Sequence, residues 1–350
     1  MPTTSLTIGN ELLSTTMHIL MKEWRDNVHE STAFLDAAER VHGAGKPVQS
    51  GGTRIVIPLG FGEHSSTTRM QTGFERIDLT VEDVFKPAQY DWGHVVRPVA
   101  ISSEEEMTNQ GDAAVLSIIE SRTKMTANAL KREYVKQMVQ GSQTGWEDWN
   151  TLNGVDVTSG DHQGFLEQDA VGSQGNTVGS VSKSTYSSKT GWQNQMFDGA
   201  GSFNSNGLAG LYDLKVEIAS VSPNGDPNVI LASRAGFKNL KRALSAHERY
   251  VDQSKIDGGR LVEYWDGVQI NVERNMPTAG TGTTADPISF YMLNLNDIHT
   301  IWDPQGYFDL SDFETVSGEY DVRSAKLRCR GQLIAKHLGS SGMAFDLETF

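Results

Sequence analysis

The sequence predicts an α+β fold on three observations. Two strand-like runs, Thr53–Phe61 and Ala88–Ile101, flank a polar stretch and read as one long hairpin. A long amphipathic helix over 112–140 follows at once. Further on, helix, buried strand and helix succeed one another, the local signature of a packed α and β domain.

The first run, Thr53-Arg-Ile-Val-Ile-Pro-Leu-Gly-Phe, is β-branched and apolar, and the second is aromatic and β-branched. Both compositions favour strands. Between them, Glu63 to Arg69 is polar, and Ile77, Leu79 and Val81 then alternate with polar residues. A two-stranded ribbon with nothing beneath it is marginal in water, so this hairpin is expected to be held by something outside its own domain. Glu63, Arg69, Phe74, Ile77, Leu79, Val81, Phe85 and Lys86 are its candidate intersubunit contacts.

Ser102 and Ser103, each followed three residues later by Glu105 and Glu106, form overlapping capping boxes that predict a short helix. From Asp112, the residues Leu116, Ile119, Thr123, Ala127, Leu130, Tyr134 and Met138 hold one helical face up to a terminating Gly141. At 1.5 Å per residue such a helix is a rod of roughly 40 Å. Upstream, Asn10 to Val41 reads as helical through Leu13, Met17, Leu20, Trp24 and Val28. Trp146 to Gly207 turns to Gly, Ser, Asn, Thr and Gln, which predicts loops and short strands with Val178, Val181, Trp192 and Phe197 as sparse anchors. Helices are predicted at Leu208–Ser220 and Ala235–His247 around a strand at Asn228–Ala232. Later strands are expected at Val268–Glu273, Ile288–Leu293, Ile298–Trp302 and Ala325–His337.

With 350 residues the chain can bury a sizeable core. Its start shows no basic segment followed by an apolar run, and nowhere do 18 apolar residues follow one another, so neither export nor a membrane span is expected. Cys329 is the single cysteine, flanked by Leu327, Arg328 and Arg330, and reads as a packing residue in a strand. Against 30 Lys and Arg stand 44 Asp and Glu, a formal net charge of −14. A free-standing nucleic-acid binder is therefore not expected.

Motifs that carry chemistry fail one after another. Gly43-Ala-Gly-Lys46 resembles the end of a phosphate-binding loop, but Arg40 and Pro47 occupy positions where that loop needs Gly and a hydroxyl. Ser180 to Lys183 and Lys189-Thr-Gly191 match two β-lactamase elements that lie too close together, and the third element is missing. The nine histidines show neither an i, i+4 pair nor a cysteine at zinc spacing. Glu104, Glu105 and Glu106 read as a solvated first turn of a helix. No catalytic residue, metal or cofactor is assigned.

The order of segments resembles the major capsid protein of tailed bacteriophages, with the Hong-Kong-97-type fold. The resemblance rests on Gly51-Gly-Thr-Arg-Ile-Val-Ile-Pro-Leu, Ala88 to Ser102 followed by Asn109-Gln-Gly-Asp, and Leu152-Asn-Gly-Val. Val178 to Tyr186, Trp192-Gln-Asn-Gln, Asp266-Gly-Val-Gln-Ile and Gln332-Leu-Ile-Ala-Lys continue it. It implies an N-terminal arm over 1–48, an extended loop over 49–101 and a peripheral domain over 102–206 carrying the spine helix 112–140. An axial domain over 207–310 and return strands over 311–350 complete the implied division.

The implied function is structural: a virion capsid protein, assembled in the host cytoplasm, whose pentamers and hexamers close into an icosahedral shell around double-stranded DNA. The implied partners are other copies, a portal, a decoration protein and a separate scaffolding protein, because no long charged helical segment precedes the arm. The family's type member joins subunits through Lys and Asn side chains; Lys86 is a conceivable donor here, with no matching acceptor motif. Two alternatives are a prokaryotic nanocompartment shell enclosing a cargo enzyme, and an enzyme or carbohydrate-binding module with a surface hairpin.

Overall fold

The structure, a computed structural model, describes residues 33–42, 49–62, 67, 69–71, 73, 76, 84–108, 118–141, 144–154, 163–185, 191–245, 255–257, 260–277, 286–315 and 321–350. They belong to two compact units, one with described residues from 97–128 and 310–327, the other with described residues from 33–96, 129–309 and 328–350.

The larger unit is organised by a seven-stranded sheet in the order β10-β11-β12-β9-β13-β18-β8. Its strands are β8 (Gln195–Asp198), β9 (Val229–Ala232), β10 (Lys255–Asp257), β11 (Arg260–Trp265), β12 (Val268–Val272), β13 (Ile288–Leu293) and β18 (Gly342–Phe345). The central β9 and β13 are buried at every position, as strands covered on both faces must be. Helices α4 (Phe203–Val221) and α5 (Arg234–Ser245) supply Phe203, Leu211, Leu214, Ile218 and Leu240 to a core shared with Ile230, Trp265, Phe290 and Met292. Helix α1 (Ala33–His42) buries Phe34, Leu35 and Ala37, and the Phe34 N–H donates to Glu273 Oε2 at 3.4 Å.

The sequence reading is corrected at two places in this unit. Helix α4 starts at Phe203, five residues before the predicted Leu208. Its first turn, Phe-Asn-Ser-Asn-Gly, has loop composition, but Phe203 is buried and Gly207 lets its ring close in, since a Cβ there would lie 2.7 Å from Phe203 Cγ. Strands β10 and β11 were not predicted at all, although Gly258-Gly259 between them is a two-residue hairpin signal. The next turn, Asp266-Gly267, has φ of 47° and 81°, the positive pair that a tight hairpin between β11 and β12 requires.

The hairpin run also divides. Strand β1 (Arg54–Gly60) pairs antiparallel with β2 (Phe85–Asp91), whereas β3 (Gly93–Ser102) belongs to another sheet. Ala88–Ile101 is thus two strands with a break at Trp92, not one. That other sheet has five strands: β3, β14 (Ile298–Trp302), β15 (Asp309–Leu310), β16 (Glu314–Thr315) and the long β17 (Val322–Ala335), which begins three residues before the predicted Ala325. Among its described residues, the glycine- and serine-rich stretch holds the short strands β4 (Thr151–Asn153), β5 (Gly164–Leu166), β6 (Thr177–Val178) and β7 (Val181–Ser182) besides β8 and the start of α4. Its interior is far from sparse: Trp146, Trp149, Leu152, Phe165 and Trp192 are all buried.

In the smaller unit, α2 (Ser103–Thr108) starts on a formed capping box: Glu105 N–H donates to Ser102 Oγ at 3.2 Å, and Ser102 N–H donates to Glu105 Oε2 at 3.2 Å. Ser103 Oγ donates to Asp321 Oδ1 at 2.6 Å; the Glu106 side chain, which would close the overlapping Ser103 box, lies outside the described residues. The long helix α3 (Ile118–Gln140) is observed for most of the predicted 112–140, its first six predicted residues lying outside the described ones. Gly141 ends it at φ 85°, as the sequence requires. The predicted helix 10–41 is seen only from Ala33 onward, and 10–32 lie outside the described residues.

Candidate assembly surface

The ribbon of β1 and β2 runs in unbroken antiparallel register from Arg54↔Asp91 to Gly60↔Phe85. Successive side chains alternate between its faces. One face carries Ile55, Leu59, Ala88 and Tyr90, all buried. The other carries Val56, Pro58, Pro87 and Phe85, with Val56 53% and Phe85 65% exposed, and at its base Arg54, Gln89 and Asp91, where Arg54 Nε pairs with Asp91 Oδ1 at 2.7 Å. Pro58 and Pro87 face one another in the ladder. Two prolines can pair only where N–H groups point away from the partner strand, so these remove donors from the ribbon's open edges.

The base of the ribbon is bolted to its unit. Tyr90 Oη donates to the Ala335 carbonyl at 2.9 Å and accepts from Ala335 N–H at 3.3 Å. Burial pushes this phenol far above its ordinary pKa, so it stays a neutral donor. Gln89 N–H donates to the Gly179 carbonyl at 2.9 Å; a Cβ on Gly179 would lie 2.9 Å from that of Ala88, so only glycine permits the approach. Gln332 joins the same corner with four bonds. Its Nε2 donates to the Asp91 and Asp148 carbonyls, each at 2.8 Å, while its Oε1 accepts from Asn150 and Leu333 N–H. Phe61, one residue past β1, meets Trp192 edge-on at 5.5 Å.

Lys183 and Glu167 form a buried ion pair in the serine-rich stretch, Nζ to Oε1 at 2.9 Å. Lys183 Nζ also donates to the Phe165 carbonyl at 2.6 Å and to Asn194 Oδ1 at 3.2 Å, and Glu167 accepts from Gly175 and Asn176 N–H. Burial outweighs the pull of Glu167 and lowers the ammonium to about 8. The Lys183 of the lactamase-like pattern is thereby accounted for as part of a structural hub. Cys329 is buried and its thiol is pushed up by desolvation, the reverse of an activated nucleophile. Among the described residues, no group of three or more His, Cys, Asp or Glu side chains is placed to hold a metal ion. Nor is any described helix long and apolar enough to cross a membrane.

Of the predicted contact residues, Arg69, Phe85 and Lys86 are exposed. Glu63, Phe74, Ile77, Leu79 and Val81 lie outside the described residues, as does the loop-like Gly43-Ala-Gly-Lys46. Val56, Pro58 and Pro87 belong with Phe85 on the exposed face and were not singled out from sequence. The signal was the apolar character of consecutive residues in Arg54–Gly60, which reads equally well as a strand buried on both faces.

No protein-family model matches the sequence, and no curated protein matches it. Solved structures do. A chain of the cyanophage A-1(L) capsid asymmetric unit superposes with a TM-score of 0.64 at 14% identity, covering 97% of this chain and 99% of that one. The capsid of a native GTA particle gives 0.56 at 12% identity over 94% and 95% of the two chains. The holo-SrpI encapsulin complex from Synechococcus elongatus gives 0.57 at 10% identity over 97% and 95%. At such low identity the likeness speaks for architecture, and it does so over nearly the whole chain: the protein has the Hong-Kong-97-type fold of capsid and encapsulin shells.

Proposed function

We propose that this protein is the major capsid protein of a tailed bacteriophage, a structural subunit whose copies form pentamers and hexamers and close into a shell around double-stranded DNA. The observation that carries this reading is the ribbon of β1 and β2: tied at its base by Tyr90, it leaves Val56 and Phe85 more than half exposed. Apolar side chains exposed on the tip half of a ribbon whose base is polar gain stability by lying on a neighbour. A contact of that kind, repeated from copy to copy around an axis, is heterologous and generates closed rings.

In this reading the β1–β2 ribbon and its tip, within residues 49–101 and short of β3, are the extended loop that reaches the neighbour, with Glu63, Arg69, Phe74, Ile77, Leu79, Val81, Phe85 and Lys86 among its contacts. Residues 1–48 act as an arm, 102–206 as the peripheral domain, 207–310 as the axial domain and 311–350 as the return strands. The formal net charge of −14 suits a container that holds DNA without gripping it. A scaffolding protein, a portal and a decoration protein are the proposed heterologous partners.

The test replaces residues 62–84 with a short Gly/Ser turn, leaving the register from Gly60↔Phe85 inward intact. The isolated subunit is expected to melt within a few degrees of the parent, as surface-loop changes do, while closed shells fail to form. A variant that unfolds, or one that still builds normal shells, overturns the assignment. Nucleic acid recovered from shells supports the phage reading; a protein cargo in its place transfers the chain to the nanocompartments.

A further inference from the structure

We propose that a cleft in the larger unit, at the junction of β3, β17 and the turn after β14, receives a carboxylate side chain from a second copy of this chain. The proposal rests on the assembly reading above and names one contact within it. The cleft has a volume of about 450 Å³ and is lined by Trp92, His94, Asp303, Gln305, Gly306, Arg328 and Arg330.

Its floor is rigid. Arg330 N–H donates to the Gly306 carbonyl at 2.8 Å and Asp303 N–H to the Arg330 carbonyl at 3.1 Å, which clasps the turn to β17. A Cβ on Gly306 would lie 2.6 Å from that of Arg330, so the turn can approach only as glycine. The Arg330 guanidinium stacks 4.9 Å from the Trp92 ring centre, and its Nη1 donates to Asp303 Oδ2 at 2.7 Å. Asp303 Oδ1 is taken by Gln305 N–H at 3.0 Å. The carboxylate of the cleft is therefore fully engaged.

The donors are not. Arg328 stands two residues before Arg330, hence on the same face of the strand; it is exposed and makes no ion pair or hydrogen bond among the described residues. Trp92 Nε1–H is shielded from solvent without an acceptor. With Arg330 paired to Asp303, the cleft is left with one uncompensated and accessible guanidinium, that of Arg328, which matches one oxyanion. The guanidinium fork suits a planar carboxylate. A second copy supplies carboxylates in excess, 44 against 30 basic residues. Duplex DNA is the poorer fit, because gripping a phosphate backbone takes several cations at once, and a chain of net −14 repels it.

The experiment compares the full-length chain with Arg328→Glu and Arg328→Gln, measuring subunit melting, shell yield by sedimentation, and retention of a labelled DNA duplex. Shell yield is expected to fall at least tenfold for Arg328→Glu and severalfold for Arg328→Gln, with melting unchanged within a few degrees and no DNA retained by any form. If Arg328→Glu melts well below the parent, Arg328→Gln, which adds no repulsion, decides the matter by the same yield. Equal shell yields in all three chains overturn the carboxylate contact while leaving the assembly reading intact. Failure of the parent itself to assemble removes the assembly reading and this contact with it. Retention of DNA by the parent, lost in Arg328→Glu, makes phosphate the occupant and overturns the second copy.

Discussion

Lys183 Nζ lies 2.9 Å from Glu167 Oε1 with neither side chain more than 6% exposed. Each charge is satisfied further by neutral groups: a carbonyl and a carboxamide for the ammonium, two backbone N–H groups for the carboxylate. Removing one partner leaves the other charge buried and unpaired, which typically costs about 3–5 kcal/mol. Lys183→Met is expected to destabilise the isolated subunit by that amount in urea unfolding. Glu167→Gln, which keeps an acceptor for one of the N–H groups, should cost less. A Lys183→Met chain as stable as the parent would show that the pair contributes nothing net.

Tyr90 anchors the ribbon through a single hydroxyl that both donates to and accepts from Ala335. Tyr90→Phe keeps the ring and strands a buried N–H and carbonyl, a loss of about 1–3 kcal/mol. Thermal melting measures it. Amide exchange distinguishes the mechanism: the protons of β1 and β2 should exchange faster, while those of β9 and β13 keep their protection relative to global unfolding.

The sequence announced elements whose cause is local. Capping at Ser102 and Glu105, the stop at Gly141 and the β-branched run of β9 each depend on a few consecutive residues, and each is found. What it hid depends on distant partners. Asn150 bonds the Leu333 carbonyl, Asn194 bonds the Glu167 carbonyl and Gln174 bonds the Asn194 carbonyl. Carboxamides spaced through a Gly- and Ser-rich stretch look like solvated loop, yet here they replace the ladders that short strands cannot supply. The break at Trp92 was hidden for the same reason: nothing in Tyr-Asp-Trp-Gly-His reports that Gln332, far along the chain, captures the Asp91 carbonyl. Of the candidate contacts, Phe85 was legible as an apolar residue just ahead of the second predicted run, which the structure extends back to include it, whereas Val56 needed the register to show which face it occupies.

Gly93 follows that break and packs under an indole. A Cβ at this position would lie 2.5 Å from Trp149 Nε1, and Trp149 itself is enclosed by Tyr134, Trp146 and Trp302 at centroid distances of 5.6, 5.4 and 5.8 Å. The cluster has no room to retreat. Gly93→Ala should therefore overpack it and cost about 1–3 kcal/mol, readable in both the melting temperature and the near-ultraviolet dichroism of the tryptophans. Gly145→Ala is the contrast, since nothing lies within 4 Å of its Cβ position; its φ of 84° charges it with backbone strain alone, and the tryptophan signal should not change.

Glu105 closes the capping box of α2 and also holds Arg122, with Nη2 to Oε1 at 2.6 Å and Nη1 to Oε2 at 2.9 Å. The Arg122 hydrogen bonds, joined by the Ser102 N–H, lower its carboxyl from the ordinary 4.5 to about 2. A carboxylate depressed in the folded chain contributes stability that is fully present above its unfolded value and is lost as pH falls through the folded one. The start of α2 should thus stay protected down to pH 4.5 and loosen progressively between 4.5 and about 2. Arg122→Met removes the first cause while leaving the box in place. Carboxyl-carbon NMR of Glu105 in the variant should then titrate appreciably closer to 4.5 than in the parent. An unchanged midpoint would assign the depression to the Ser102 backbone and leave Arg122 as a bystander on the surface.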